Sequence, residues 1–142
     1  MGFTIPRPLV MATGVFDLLH VEHVLLLEFA RRQGYHLLVG INSDESVQRI
    51  KGPNRPIIGC VHRMLMLEAL RCVDDVVAFP EDTPAQMIRQ WRPDILVKGH
   101  DYKDKPVPEA AILAEWGGRL VIAPTSDRES TTSIINRIRS TP

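Results

Sequence analysis

The sequence predicts an α/β fold with a doubly wound, five-stranded parallel sheet that carries helices on both faces. Short, continuously apolar segments recur along the chain, which is typical of strands buried on both faces. Segments with helical spacing of apolar residues separate them, and this alternation favours a parallel sheet with right-handed crossovers. The length of 142 residues suits a single domain over residues 1–142 with one buried core.

Five segments are predicted as strands. The first is residues 9–13, LVMAT, which is apolar throughout and ends at Gly14. A strand of this kind suits the centre of a sheet, where both faces are covered. The other four predicted strands are residues 36–41, 75–79, 94–97 and 119–123.

Helical segments lie between and after these strands. The first helix follows Gly14 and stops near Gly34, because glycine is common just beyond a helix end. Thr83 and Pro84 predict an N-cap followed by proline in the first turn of a helix that runs through Trp91. The other helical segments are residues 43–50, 61–73 and 107–116, and a last one that carries Ile134, Ile135 and Ile138.

The composition excludes some classes of partner. Lys plus Arg and Asp plus Glu number 17 each, so the formal net charge is zero and no general field attracts nucleic acid or a membrane surface. The sequence shows no signal-type segment, repeat or linker, and we expect a cytoplasmic protein. Cys60 and Cys72 are predicted as free thiols in packing positions.

Polar residues gather where four of the predicted strands end. They are residues 14–17, 42–44, 98–102 and 125–132. Ligands of open α/β sheets bind beyond the carboxyl ends of the strands. We therefore expect these segments to form one site, to which the proline-rich and glycine-rich loop at residues 51–58 contributes.

Two histidines three positions apart begin the first helix. The Cβ atoms of His20 and His23 should lie about 5–6 Å apart, so both rings can reach one ligand. Imidazole donors at a helix N-terminus predict a phosphate site. A metal site with Asp17 or Glu22 as further ligand, or two unrelated histidines, are the alternatives.

The start of the last helix predicts a second anion site. Ser130, Thr131 and Thr132 place hydroxyl groups beside uncovered N–H groups, and ordinary capping needs only one of them. Positive charge toward a polyphosphate would come from Lys51, Arg55, Arg63 and Lys98. Taken singly, each of these four is more often a solvated surface charge.

These segments resemble the HxGH nucleotidyltransferases, which move a nucleotidyl group from a nucleoside triphosphate to a phosphorylated acceptor. The likeness covers almost the whole chain and implies a Rossmann-like form of the predicted sheet. Seven blocks carry it in order: GVFDLLH, INSDESVQRIKGPNRP, HRMLMLEALRCVDDVVAF, EDTP, RPDILVKGHDYK, GGRLVIAP and STTSII. Seven ordered blocks are far more specific than one short motif.

The resemblance implies roles for particular residues. The residues implied in catalysis are His20, His23, Lys51 and Arg63. Those implied in nucleotide binding are Gly14, Val15, Phe16, His20, His23, Lys98, Ser130, Thr131 and Thr132. Those implied in acceptor binding are Asp17, Asp44, Lys51, Arg55 and Asp101. The resemblance also implies Mg²⁺ carried by the triphosphate, no metal ligands from the chain itself, and a possible homodimer.

Within this family the blocks are most similar to the branch that makes a lipopolysaccharide sugar precursor. That branch implies AMP transfer from ATP to a sugar phosphate such as a heptose 1-phosphate, with release of pyrophosphate. Thr125 stands where relatives that make CDP-glycerol have an arginine, which favours ATP over CTP. The alternatives are a cytidylyltransferase acting on a polyol or alcohol phosphate such as glycerol 3-phosphate, and a catalytically silent nucleotide-binding relative.

The chain departs from the family pattern at its signature. Glu22 replaces the glycine of HxGH, and His100, Glu109 and Arg128 stand at further glycine positions. A carboxylate beside a triphosphate repels it. Because position 22 lies about 160° around a helix from His20, Glu22 could instead point away from the site.

Overall fold

The fold is centred on a parallel sheet. The computed structural model of the chain describes residues 4–124 and 129–142. The sheet is formed by β1 (Leu9–Gly14), β2 (His36–Asn42), β3 (Asp75–Phe79), β4 (Ile95–Lys98) and β5 (Arg119–Ile122), in the order β3-β2-β1-β4-β5. Every neighbouring pair is parallel. The five predicted strands are confirmed.

The predicted helices are also present in the described part of the chain. They are α1 (Val21–Arg31), α2 (Asp44–Lys51), α3 (Cys60–Glu68), α4 (Ala85–Trp91), α5 (Glu109–Ala114) and α6 (Thr131–Ser140). A short 3₁₀ turn, His100–Tyr102, follows β4 and was not predicted.

Three predicted helix boundaries are wrong. The third helix ends at Glu68 rather than at residue 73, because tighter bonds from the amides of Leu70 to Leu67 and of Val73 to Leu70 turn the chain toward β3. Pro84, not Thr83, is the N-cap of α4 and makes no side-chain cap bond. Helix α5 begins at Glu109, two residues later than predicted, after a proline N-cap.

Alternate residues of β1 enter two separate cores. Val10 and Ala12 pack with α1 and α3 on one face, while Leu9 and Met11 pack with α4 and α5 on the other. All four β1 side chains are fully buried. The sheet is therefore covered on both faces, as expected of a doubly wound fold.

The strand order places a switch point beside β1. The strand β1 pairs with β2 on one side and with β4 on the other, so the loops after β1 and β4 leave the sheet in opposite directions. Such a crevice at the carboxyl ends of the strands is where open α/β sheets bind ligands.

Two further features are the state of the cysteines and the length of the helices. Cys60 and Cys72 are free and half-buried, as predicted. Across residues 4–124 and 129–142, none of the helices is both long enough and apolar enough to span a bilayer.

Candidate active site

A cavity of about 650 Å³ opens at the carboxyl edge of the sheet, and its size lies in the range of small-molecule sites. Most of the predicted site residues line it. They are Gly14, Val15, Phe16, Asp17, His20, His23, Lys51, Arg55, Lys98, Asp101, Ser130, Thr131 and Thr132. Asp44 and Arg63 are not among the residues that line it.

A strained turn between β1 and α1 places the Phe16 ring beside His23. Phe16 and Leu18 both have left-handed backbone conformations, with φ of 52° and 50°, which non-glycine residues rarely adopt. The Phe16 ring packs against the His23 ring with a centroid distance of 5.1 Å. A Cβ at Gly14 would lie only 3.1 Å from the Phe16 ring. Glycine at this position therefore lets the ring pack beside the histidine.

The two imidazole rings are stacked on each other. Their centroids are 3.7 Å apart and their planes differ by 25°. The backbone N–H of His20 donates to Nδ1 of His23 at 3.3 Å. Since Nδ1 accepts this bond, the proton of a neutral His23 ring sits on Nε2. His23 is thus a hydrogen-bond donor through Nε2.

Both rings are driven toward the neutral form. Burial, reinforced by the neighbouring His20, lowers the pKa of His23 to about 4, against a smaller opposing effect of Asp17. Burial also lowers the pKa of His20, while Glu129 and Glu22 oppose that change. A pair of neutral donors can contact an anion at little desolvation cost. Over the described ranges, no group of three or more His, Cys, Asp or Glu side chains is placed to hold a metal ion.

The start of α6 meets the same pocket. Ser130 is its N-cap, with Oγ accepting from the Ser133 amide at 3.0 Å while the Ser130 amide donates back to Ser133 Oγ. The hydroxyl of Thr131 donates to the backbone carbonyl of Asp17. Two of the three hydroxyls thus hold the helix in place, and Thr132 is exposed at the cavity wall.

Asp17 fastens the loop at residues 52–59 to the β1–α1 turn. Its side chain is fully buried and accepts from the amides of Ile57 at 2.7 Å and Ile58 at 3.0 Å. It also pairs with Arg55, whose Nε lies 3.2 Å away. These bonds occupy the carboxylate within the protein, which indicates that Asp17 positions Arg55 and the loop.

Arg63 is buried and does not line the cavity. It is 1% exposed and donates to the carbonyls of Ile58 at 2.9 Å and Val15 at 2.8 Å. Its third partner is Asp44, at 2.9 Å. A guanidinium with this set of partners is well satisfied where it lies. We therefore assign Arg63 and Asp44 positioning roles in place of the direct substrate contacts expected from sequence.

The cavity also contains Thr13, which sequence reasoning missed, and Tyr102 and Glu129, which lie in predicted polar segments but received no individual role. Thr13 accepts a hydrogen bond from Lys98 Nζ at 3.2 Å, and Tyr102 and Glu129 line the wall. Thr13 is the one hydroxyl residue in the apolar segment of β1, a signal that could have found it. Tyr102 belongs to the predicted polar segment at residues 98–102, but its place at the cavity wall depends on the 3₁₀ turn.

Comparison with known proteins agrees with this geometry. A family model described as "Cytidylyltransferase-like" matches residues 11–137. The chain belongs to the cytidylyltransferase-like family. The resemblance to nucleotidyltransferases noted in the sequence is thereby confirmed.

Individual members of the cytidylyltransferase-like group are similar over most of this chain. A protein of Bordetella bronchiseptica named D-beta-D-heptose 1-phosphate adenylyltransferase is 47% identical over 136 residues, covering 95% of this chain and 84% of that protein. The Bifunctional protein HldE of Syntrophotalea carbinolica is 48% identical over 93% of this chain, which spans only 27% of that longer protein. The crystal structure of the lipopolysaccharide core biosynthesis protein from Thermoplasma volcanium superposes with a TM-score of 0.72 at 29% identity, over 84% of this chain and 98% of that one.

The structure also shows where the side chain of Glu22, the residue that replaces the signature glycine, points. Glu22 is half-buried and lines the cavity, and its charge raises the pKa of His20. The carboxylate thus faces the candidate site, which was one of the two outcomes expected from sequence. His100 and Glu109 also line the cavity. Thr125 and Arg128 lie outside the described residues.

The depressed pKa of His23 predicts a stability that depends on pH. The folded pKa is about 4 against an ordinary 6.5, so the folded protein resists a proton that the unfolded chain accepts. This contribution to the free energy of unfolding is complete above pH 6.5 and is lost as the pH falls toward 4, on the order of 3 kcal/mol. Urea unfolding at pH 7 and pH 4 should show this loss in the parent protein and a smaller loss in His23→Gln. Equal losses in both proteins would contradict the assignment.

Removal of the Glu22 charge should strengthen polyphosphate binding. In Glu22→Gln, and in Glu22→Gly, which restores the family residue, we expect triphosphate affinity to rise about three- to tenfold because a facing negative charge is lost. Isothermal titration with inorganic triphosphate measures it. Glu28→Gln, an exposed position on the same helix, is the matched control. Unchanged affinity in both Glu22 variants would mean that the carboxylate does not act on the ligand.

Proposed function

We propose that this protein is an adenylyltransferase that transfers AMP from ATP to a sugar phosphate of the heptose 1-phosphate kind and releases pyrophosphate. The observation that carries the proposal is the convergence of two helix starts on one cavity, through the Thr131 bond to the Asp17 carbonyl. The nucleotide and the acceptor are inferred from the relative named heptose 1-phosphate adenylyltransferase, at 47% identity. We also propose that the reaction takes place in the cytoplasm.

The chemistry requires alignment and charge stabilisation rather than a covalent enzyme intermediate. An oxygen of the acceptor phosphate attacks the α-phosphorus in line, forming one P–O bond. The bond from the α-phosphorus to the bridging oxygen breaks, and pyrophosphate leaves with that electron pair. Mg²⁺ enters with ATP as part of the substrate. Holding the reactants together and stabilising the developing charge supply most of the rate enhancement in such reactions.

The residues of this chain divide that work between two sides of the cavity. On one side, we assign to Nε2–H of His23 and to His20 the donation of hydrogen bonds to phosphate oxygens. On the other side, the uncovered N–H groups at the start of α6 bind the leaving pyrophosphate. Lys51 and Arg55, both on the cavity wall, supply positive charge toward the phosphates.

A substrate panel tests the proposal. Pyrophosphate release is measured with ATP or CTP against heptose 1-phosphate, other sugar 1-phosphates and glycerol 3-phosphate. The proposal expects the highest kcat/KM with ATP and a sugar 1-phosphate. A preference for CTP with glycerol 3-phosphate would establish the cytidylyltransferase alternative. Nucleotide binding without release across the panel would establish a silent relative.

The histidine pair should be essential for turnover. In His20→Ala and His23→Ala, the loss of a placed donor should lower kcat by about 10²–10³. His62→Ala, which changes an exposed histidine on α3, should leave kcat near the parent value. Circular dichroism and thermal unfolding show whether each variant is folded. A folded His20 or His23 variant with nearly normal kcat would refute the role.

We also propose a homodimer formed through α1 and α3. Both helices cover the same face of the sheet, and both leave apolar side chains exposed one helical turn apart: Val21 and Leu25 on α1, and Val61 and Leu65 on α3. Exposed apolar rows of this kind mark interaction surfaces.

A charged substitution on this surface should therefore dissociate the dimer. Val61→Glu, at a side chain that is 70% exposed, should convert a dimer to a monomer in sedimentation-velocity experiments. Ile138→Glu, an exposed apolar position on α6, is the control and should leave the dimer intact. A monomeric parent protein, or a dimer that survives Val61→Glu, would reject this interface.

A further inference from the structure

Lys98 is held by several partners at the switch point between β1 and β4. It ends β4 and is 8% exposed. Its Nζ donates to Thr13 Oγ1 at 3.2 Å, lies 3.8 Å from Oε1 of Glu109, and sits 5.0 Å from the centroid of the Tyr102 ring. An ammonium held in this way has little freedom to follow a ligand.

The carboxylate beside Lys98 comes from a different element. Glu109 is the first residue of α5, its side chain is only 13% exposed, and it lines the cavity together with Lys98. Asp101, from the 3₁₀ turn, adds a second negative charge that acts on Lys98. The ammonium of Lys105 also lies near the Tyr102 ring, 5.7 Å from its centroid.

The Lys98–Glu109 pair weakens the attraction of this part of the cavity for a polyanion. In a partly buried site, two opposite charges about 4 Å apart largely cancel each other's field at longer range, and each feels the other more strongly than in water. A phosphate that approaches Lys98 meets the Glu109 carboxylate as well. It must displace the carboxylate or accept a weaker attraction.

We propose that Glu109 is a positioning residue that neutralises Lys98 and thereby sets how tightly the pocket holds a polyphosphate. The proposal rests on the proposed function in one respect, that the cavity receives a nucleoside triphosphate and releases pyrophosphate. Weaker attraction at Lys98 favours the release of pyrophosphate after transfer. Glu109 acts through Lys98 and makes no bond to the reacting atoms.

A double-mutant cycle with inorganic pyrophosphate as the probe tests the proposal. At pH 7, Glu109→Gln should bind pyrophosphate about three- to tenfold more tightly than the parent protein, as measured by isothermal titration. In the Lys98→Met background the same substitution should have little effect, because its target is absent. Glu109→Asp, which keeps the charge, should behave like the parent. Glu115→Gln removes an equal charge at an exposed pair with Arg89 and should change nothing.

The pH dependence of pyrophosphate binding distinguishes an electrostatic effect of Glu109 from a purely structural one. Burial lowers the pKa of Lys98, whereas Glu109 and Asp101 raise it; Tyr102 is the other titratable group that faces it. Without the Glu109 charge the ammonium is stabilised less. Pyrophosphate binding should therefore weaken at a lower pH in Glu109→Gln than in the parent protein.

Other outcomes overturn the proposal. Weaker binding in Glu109→Gln, or an equal gain with and without Lys98, would show that Glu109 does not act by neutralising Lys98. An absence of pyrophosphate binding in the parent and in every variant would reject this proposal together with the polyphosphate pocket. The titration needs neither an acceptor nor turnover. Its result can therefore be interpreted even if the protein does not catalyse adenylyl transfer.

Discussion

The candidate site depends on one buried residue, Asp17, which bonds in two directions. Its carboxylate accepts from the amides of Ile57 and Ile58 and pairs with Arg55, so the loop after α2 is held over the cavity. Its backbone carbonyl accepts from the Thr131 hydroxyl, so the start of α6 is held at the other side. Loss of these bonds would leave a buried charge without partners, which is a large cost. The separate parts of the pocket are therefore fixed relative to one another by a single turn of chain.

In the pocket, several of the groups that can face an anion are neutral or are paired with a negative charge, so positive charge is not concentrated on them. The stacked histidines are driven toward neutrality by burial, and Lys98 shares its surroundings with Glu109. Glu22, in place of the family's glycine, adds another negative charge at the wall. A pocket of this kind binds anions chiefly through directed N–H donors, whose energy depends on geometry more than on net charge. This matches a chain whose formal charge is zero.

Local patterns were sufficient to predict the strands, the six helices and the polar sheet edge, because continuous apolar segments and strand-end polar residues need no tertiary information. They were not sufficient for Arg63. Its three partners lie 5, 19 and 48 residues away in sequence, so only the assembled fold shows that its guanidinium is used internally. For a similar reason the end of α3 was predicted too late and the 3₁₀ turn was not predicted. Both follow from how the chain re-enters or leaves the sheet, which apolar spacing does not report.

The contact between Thr131 and Asp17 joins residues 114 positions apart, and it has a consequence for biosynthesis. All five strands precede residue 131, so a nascent chain can begin to assemble its sheet before the last helix leaves the ribosome. The side of the pocket that holds His20 and His23 can form early, whereas the side formed by Ser130 and Thr131 is added after the described strands. The polyphosphate pocket would then be completed only after the scaffold that supports it.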